Sequence, residues 1–213
     1  MSDLHETIFT CPHCGHQFNI NVYDAVNVTK DPDLRDAVVS GDIFHHVCPH
    51  CQKDYLVQND MLYVDMERRF MIWLSEHETG DSLVKFAEPF AKAGFKIRRC
   101  STIKELSEKI QVFEDGLDDV LVELAKYDSF IDFINNKKGK AEDVTSVEYQ
   151  HTQDDVMKIN VRTGDKGASF LIPINMVQEE LKSEADLYKV EDVKFPCIND
   201  KWIISLFEKE NQK

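Results

Sequence analysis

The chain repeats one tetrapeptide, first as Cys11-Pro12-His13-Cys14 and again as Cys48-Pro49-His50-Cys51. Each copy is a Cys-x-x-Cys loop, which turns both of its sulfurs toward one point. We call residues 11–14 knuckle 1 and residues 48–51 knuckle 2. Two such loops supply the four soft ligands that close a tetrahedral zinc site. The sequence therefore predicts one structural zinc ion with four ligands: Cys11, Cys14, Cys48 and Cys51.

This ligand set restricts what the metal can do. Four thiolates fill a tetrahedral shell and leave no open position for a substrate, so the predicted site is structural. Iron in the same S4 cage is a close substitute, and the competing interpretation is two unrelated redox or disulfide pairs. The nearby histidines are predicted to be surface or neighbouring groups, because the cysteines already complete the shell. They are His13, His16, His45, His46 and His50.

The charge of the chain narrows the classes of partner. Its 213 residues carry a net charge of −14, which argues against general binding to nucleic acid or anionic membranes, since both need clustered Lys and Arg. No apolar run is long enough to span a bilayer, and the acidic N-terminus is not a signal peptide. We expect a cytoplasmic protein, in which paired cysteines favour metal over disulfide. Cys100 and Cys197 have no Cys neighbour and are predicted to be small buried apolar residues.

A small, mostly antiparallel sheet is predicted around the metal. Residues 18–23 alternate in polarity after knuckle 1, and residues 43–47 lead into knuckle 2 as a strand. Residues 55–57 and 61–64 are predicted to form a hairpin that turns at residues 58–60. Residues 70–74 supply a further strand.

A short helix is predicted between the two knuckles, over residues 31–41. Asp31 suits the N-cap, Pro32 the first helical position, and Gly41 the position just past the helix end. The knuckles are separated by 33 residues, more than the roughly 15–20 usual in a zinc ribbon, and this inserted helix accounts for the excess.

The middle of the chain is predicted to be helical. Apolar residues recur at helical spacing over residues 82–92, 103–113 and 117–134, with a strand at residues 95–100. Residues 102–105 have the pattern of a capping box. The acidic run at residues 114–119 is predicted to break the helix and cap the next one with solvated carboxylates, in preference to forming a cation site.

The C-terminal part returns to strand periodicity beyond a predicted linker at residues 135–140. Residues 144–150, 156–161 and 168–174 predict a three-stranded meander, and helical pieces follow at 176–181 and 201–209. The predicted fold class is α+β: a zinc-ribbon-like antiparallel sheet with an inserted helix, a helical middle, and a C-terminal β-meander with helices. The predicted domains are residues 1–135 (metal sheet 8–75, helical part 82–135) and residues 141–213.

Taken together, these segments resemble the CpXC domain family of bacterial proteins, which has two Cys-Pro-x-Cys motifs. The resemblance rests on both knuckles, the helix between them, the strand at residues 62–65 and the run at residues 109–119, Lys-Ile-Gln-Val-Phe-Glu-Asp-Gly-Leu-Asp-Asp. It covers about residues 8–135. It implies a metal-binding fold in which only the four cysteine ligands carry over, and it implies no activity, since the family is functionally uncharacterised.

Three functions are compatible with these features. The leading hypothesis is a non-enzymatic structural-zinc module that binds a protein or a small ligand, with self-association left open, because the chain lacks nucleotide-loop, nucleophile-elbow and zinc-protease motifs. The second is a thiol-based redox or metal sensor, since paired thiolates can oxidise and release zinc. The third is an enzyme with a cleft between the two halves, using His77, Glu88 or His151. A weaker candidate is a basic patch formed by residues 68–69 and 98–99.

Removal of the metal should loosen the N-terminal region first. Metal-binding free energy in a structural site is also folding free energy, so a chelator is expected to destabilise residues 8–75 before the rest of the chain. Hydrogen exchange with and without a zinc chelator tests this. Faster exchange confined to residues 8–75 is the expected result, whereas uniform acceleration or no change contradicts it.

Overall fold

The computed structural model describes residues 2–136, 139–164 and 166–210. Helices and strands are mixed along this part of the chain, which confirms the α+β class. The chain forms two compact units. Unit 1 comprises Met1–Ser107 and Glu191–Cys197, and unit 2 comprises Glu108–Val190 and Ile198–Lys213. The predicted domain boundary at residues 135–141 stays a prediction, and residues 137 and 138 of the predicted linker lie outside the described residues.

Unit 1 is built on a five-stranded mixed sheet in the order β1-β2-β5-β6-β7. Pairing is antiparallel for β1–β2 and β5–β6 and parallel for β2–β5 and β6–β7. A separate antiparallel pair consists of β3 and β4. The strand bounds are Asp3–Thr10 (β1), Gln17–Asn27 (β2), His45–Val47 (β3), Asp54–Leu56 (β4), Met61–Asp65 (β5), Phe70–Leu74 (β6) and Lys96–Cys100 (β7).

The predicted hairpin between residues 55–57 and 61–64 is wrong. Strand β4 pairs with β3, while β5 pairs with β2 and β6. The physical reason is burial, because Met61, Tyr63 and Asp65 are almost fully buried and β5 therefore takes an interior place in the larger sheet. Pairing among the strands near the knuckles is mostly antiparallel, as predicted, but β2–β5 is parallel, and the β6–β7 pairing makes the five-stranded sheet mixed.

The turn that replaces the predicted one joins β5 to β6. The Asp65 carboxylate accepts hydrogen bonds from the backbone N–H groups of Glu67 and Arg68, both at 2.9 Å. Arg69 completes the turn with a left-handed φ of 57°. An Asp side chain that bonds the backbone two residues on is a usual way to start a turn, and here it lies at the end of a buried strand.

The helix between the knuckles is confirmed as α1, Leu34–Ser40. Gly41 ends it with φ 85°, a left-handed conformation that glycine adopts without a Cβ penalty. The N-terminus differs from the prediction, because Asp31 accepts the backbone N–H of Ser2 at 2.8 Å and does not act as the cap. Val38 is the buried residue that fixes this helix on unit 1.

Helix α2, Asp81–Lys92, packs against the β6–β7 side of the same sheet. The apolar cluster there joins α2 to β6, β7 and a segment from near the C-terminus: Met71, Ala87, Phe95, Ile97 and Phe195. That segment, residues 191–197, also extends the edge of β7, since the Arg99 N–H donates to the Pro196 carbonyl at 3.1 Å. Unit 1 is therefore completed by residues about ninety positions away in the chain.

Helix α3, Ile103–Glu114, spans the division between the units. Its N-terminus carries the predicted capping interactions. Thr102 Oγ1 accepts the Glu105 N–H at 3.1 Å, and Glu105 Oε2 accepts the Ser101 N–H at 2.7 Å. This reciprocal pair differs from the standard capping box only in that the carboxylate reaches one residue further back.

Unit 2 packs helix α4, Asp119–Asn135, on a three-stranded meander. The strands pair antiparallel in the order β8-β9-β10, as predicted. Their bounds are Ser146–Gln153 (β8), Val156–Thr163 (β9) and Lys166–Pro173 (β10). Helices α5, Ile174–Ser183, and α6, Asp200–Glu210, also pack against α4.

The acidic run before α4 acts largely as predicted. Gly116 interrupts the helical backbone between α3 and α4 with a left-handed φ of 73°. Asp118 caps α4 by accepting the Val120 N–H at 3.0 Å. Asp119 departs from the prediction of solvated acids, because it is fully buried and paired with Lys109 at 3.0 Å. Within the described residues, none of the helices has the length and hydropathy needed to cross a membrane.

One carboxylate in unit 2 should make stability fall as pH rises. Burial, together with the charge of Glu180, raises the pKa of Asp128 to about 6, compared with about 3.9 in an unfolded chain. Unfolding therefore makes ionisation easier, so the residue destabilises the fold increasingly as pH rises from about 4 through 6. Asp128→Asn removes this effect.

We expect Asp128→Asn to raise stability by about 1 kcal/mol at pH 7.5, a value reduced for the partial exposure of the side chain, or about 2–4 °C in Tm. The gain should shrink toward zero by pH 4. Thermal unfolding across this range tests it, with the exposed Asp132→Asn on the same helix as the matched control. A gain that is independent of pH contradicts the assignment.

Candidate metal centre

The two knuckles occupy equivalent places in two hairpins of unit 1. Knuckle 1 connects β1 to β2, and knuckle 2 connects β3 to β4. Each pair of strands is antiparallel, so each hairpin ends in a Cys-x-x-Cys loop. The sequence repeat is therefore also a structural repeat.

The backbone of the two knuckles is hydrogen-bonded in the same pattern. Gly15 N–H donates to the Cys11 carbonyl at 2.9 Å, and Gln52 N–H donates to the Cys48 carbonyl at 2.9 Å. In return, the N–H groups of Cys11 and Cys48 donate to the carbonyls five residues on, also at 2.9 Å. This pair of backbone hydrogen bonds tightens each turn and directs both of its sulfurs to the same side.

The four sulfurs converge on one point between the hairpins. The Cys11 and Cys51 sulfurs are 3.6 Å apart, and those of Cys14 and Cys48 are 3.8 Å apart. All four lie within 4.8 Å of one another. A tetrahedral ion with metal–sulfur bonds of about 2.3 Å places its sulfurs about 3.8 Å apart. The arrangement therefore fits a single metal ion held jointly by both knuckles.

Both close approaches join one knuckle to the other. A disulfide would require about 2.05 Å between the sulfurs, and all four cysteines are free thiols. The first cysteine of each knuckle, Cys11 or Cys48, is buried, whereas Cys14 and Cys51 are accessible to solvent. The centre thus has one covered side and one side that faces water.

The sulfurs differ in how readily they ionise. Burial alone would raise the pKa of Cys11, but the Tyr55 hydroxyl and the backbone N–H groups of Cys14 and His13 outweigh it and lower the pKa to about 5. At Cys14 the His16 N–H lowers the pKa, yet burial and the neighbouring sulfurs raise it to about 12. Four thiolates this close repel one another, so a divalent cation is the natural way to keep them all ionised.

Tyr55 is the contact that the sequence interpretation missed. Its hydroxyl lies 3.2 Å from Cys11 Sγ, and it belongs to the hairpin of knuckle 2. In the sequence, Tyr55 is one apolar residue of a short predicted strand. The only signal for its role is its position four residues after Cys51, which is too general a spacing to single it out.

The histidines near the knuckles take the neighbouring positions expected for them. His16 and His50, one from each knuckle region, stack with ring centroids 5.3 Å apart. His13 is exposed. Over the described part of the chain, the group of side chains close enough to share a metal contains the four cysteines and no histidine.

His45 and His46 separate to opposite faces of β3. His45 Nδ1 bonds Asp54 at 2.8 Å on the exposed face, while His46 pairs across the strands with Tyr55 on the inner face. Burial lowers the pKa of His46, against the opposing charge of Asp54. Only His46 therefore faces the side on which Tyr55 reaches the sulfurs.

The other candidate residues lie at unrelated places. In unit 1, His77 and Glu88 are exposed, and Glu88 pairs weakly with Lys92 at 4.0 Å. In unit 2, His151 Nδ1 contacts the Asp115 carboxylate at 2.8 Å, and the same carboxylate accepts the Tyr149 hydroxyl at 2.5 Å. None of these contacts forms part of the cysteine cluster.

The burial of Arg98 contradicts the weaker candidate, a basic patch at residues 68–69 and 98–99. Arg98 is 1% exposed and forms an ion pair with the partly exposed Asp192. Arg99 donates to the Ser75 carbonyl at 3.3 Å. A buried guanidinium that is already paired with a carboxylate is not displayed to a ligand.

The comparison with protein families agrees with this site. The family model described as CpXC protein matches residues 9–126, which include both knuckles, α1, the whole run at residues 109–119 and the first part of α4. The chain belongs to the CpXC family. Comparison of this CpXC protein with the curated proteins and with the solved structures gives no match. Four clustered cysteines in a CpXC protein could bind a metal ion.

The residues that directly follow the two knuckles of this CpXC protein differ in type but not in backbone conformation, and that difference is testable. Gly15 and Gln52 are equivalent, and both have left-handed φ values, 73° and 59°. A side chain in this conformation costs about 1 kcal/mol. A Cβ on Gly15 would meet no atom within 4 Å, so Gly15→Ala would report the backbone cost alone.

We expect Gly15→Ala to lower stability by about 1 kcal/mol, or about 2–4 °C in Tm. The reciprocal change, Gln52→Gly, should raise Tm, because relief of the backbone strain exceeds the loss of an exposed side-chain hydrogen bond to the Pro49 carbonyl. Thermal unfolding of the metal-loaded protein measures both. Equal effects of the same sign would contradict the equivalence of the two turns.

Proposed function

We propose that Cys11, Cys14, Cys48 and Cys51 hold one structural zinc ion, and that the protein is a zinc-dependent interaction or ligand-binding module. The observation that carries this proposal is the convergence of four sulfurs from two hairpins, with separations of 3.6 and 3.8 Å across the knuckles. An all-thiolate tetrahedral set favours zinc, with iron in the same cage as the substitute to be tested.

The role of the metal follows from the saturation of its shell. Four protein thiolates leave no position at which water or substrate could coordinate. The zinc would join the β1–β2 hairpin to the β3–β4 hairpin, which share no strand pairing of their own. We infer that the arrangement is zinc-ribbon-like, with α1 inserted between the two knuckles.

The surface beside the metal supports a binding role. Val47 and Leu56, on the exposed face of the β3–β4 pair, are 54% and 57% exposed. Large apolar side chains exposed near one another are a usual feature of interaction surfaces. The partner would be a protein or a small ligand, or a second copy of the chain.

With a net charge of −14, neither general nucleic-acid binding nor membrane binding is proposed. The proposed location is the cytoplasm.

A redox or metal sensor is the second candidate, and one observation favours it. Cys14 and Cys51 are accessible to solvent, and oxidation of exposed metal thiolates releases the metal. Zinc release at mild peroxide concentrations, reversed by a thiol reductant, would support the sensor. A centre that keeps its zinc under those conditions supports the purely structural role. The enzyme hypothesis has no comparable observation.

Metal analysis of the purified protein tests the proposal directly. We expect one zinc per chain, and we expect Cys48→Ser to lose it, because removal of a buried ligand breaks the shell. Cys197→Ser is the matched control, since this cysteine lies outside the cluster and forms no disulfide, and it should retain the metal. If the purified protein is coloured and contains iron, the metal of the proposal is iron and not zinc. Absence of bound metal in the reduced wild type would overturn the proposal.

A further inference from the structure

The Tyr55 hydroxyl links the two hairpins at the metal centre. Tyr55 lies on β4, directly after knuckle 2, yet its hydroxyl contacts the sulfur of Cys11 in knuckle 1 at 3.2 Å. Its ring packs against Phe9, two residues before Cys11, with the ring centroids 5.7 Å apart. The ring is therefore positioned by packing, and the hydroxyl is directed at one particular sulfur.

The direction of this hydrogen bond follows from the chemistry of the sulfur. A metal-bound thiolate carries no proton and can only accept, so the Tyr55 O–H is the donor. Hydrogen bonds to a charged acceptor are stronger than neutral ones. Such a bond withdraws electron density from the sulfur, which matters in a four-thiolate centre that keeps an excess of two negative charges around a divalent ion.

We propose that Tyr55 is a positioning residue of the metal centre, which holds Cys11 against knuckle 2 and protects that sulfur from oxidation. The inference rests on the proposed zinc site and deepens it. Cys11 is already 1% exposed, so burial and hydrogen bonding act on the same sulfur. The accessible sulfurs of Cys14 and Cys51 are then the ones that an oxidant meets first.

The oxidation step considered is attack by a peroxide. Two thiolates lose two electrons and form one S–S bond, while the O–O bond of hydrogen peroxide breaks and its two oxygens leave as hydroxide ions, which the buffer protonates to water. Loss of two ligands releases the metal. Without the Tyr55 donor, Cys11 becomes a more electron-rich nucleophile, and this reaction should become faster.

The test compares Tyr55→Phe with the wild-type full chain after cobalt(II) is bound in place of zinc. The variant keeps the ring and its packing on Phe9 and removes only the hydroxyl. We expect the sulfur-to-cobalt charge-transfer band to move to longer wavelength, because a more electron-rich sulfur gives up an electron at lower energy. We also expect the rates of zinc release to a chelator and by hydrogen peroxide to increase about 10-fold.

Two controls separate the hydrogen bond from general structural damage. Tyr149→Phe removes a hydroxyl that bonds Asp115 in unit 2, and it should leave the cobalt spectrum unchanged. Phe9→Leu loosens the packing beside Tyr55 while keeping its hydroxyl. A purely structural role for Tyr55 predicts that Phe9→Leu imitates Tyr55→Phe, whereas the proposed role predicts a band shift in Tyr55→Phe alone.

The outcomes also separate this inference from the proposed function. If the wild type binds neither zinc nor cobalt at one ion per chain, the proposed function fails and the inference fails with it. If the wild type binds both ions, and Tyr55→Phe matches it in spectrum and in release rate, only the inference is overturned.

Discussion

Four sulfur atoms held within a few ångströms of one another are the constraint on which unit 1 depends. Thiolates at 3.6 and 3.8 Å repel strongly, and they can all be ionised only with a cation among them. The β1–β2 and β3–β4 hairpins share no strand pairing, so the shared ion would supply the link that the sheet does not. The stacked His16–His50 rings and the Tyr55–Cys11 hydrogen bond add direct contacts between the same two hairpins.

In unit 2 the main constraint is electrostatic, because buried charged side chains lie on and around α4. Lys109 donates to Asp119 and to the Ile198 carbonyl, and Lys126 lies between Glu108 and Glu123. Burial raises the pKa of Glu123, although the charges of Lys126 and Lys109 oppose it. Paired and hydrogen-bonded charges of this kind cost desolvation energy, but breaking one pair leaves a buried charge uncompensated. The packing of α4 within unit 2 therefore depends on both members of each pair.

Local features of the sequence were predictable because short-range chemistry determines them. The knuckles follow from Cys-x-x-Cys spacing, the end of α1 from Gly41, the start of α4 from Asp118, and the meander from alternating residues between polar turns. Each depends on atoms only a few residues apart. What the sequence did not reveal lies where partners are distant: the strand that pairs with β4, the parallel pairings of β5 and β7, and the burial of Arg98 against Asp192.

The sequence by itself determined the four candidate ligands, the α+β class and the CpXC family, because ligand type and motif spacing are written in consecutive residues. Only the tertiary structure decided which sulfurs approach each other, which of them are covered, and that Tyr55 reaches Cys11. It also decided that residues 191–197 complete the core of unit 1 through Phe195. These are contacts between segments far apart in the chain, and their geometry depends on strand order and burial, which no local pattern encodes.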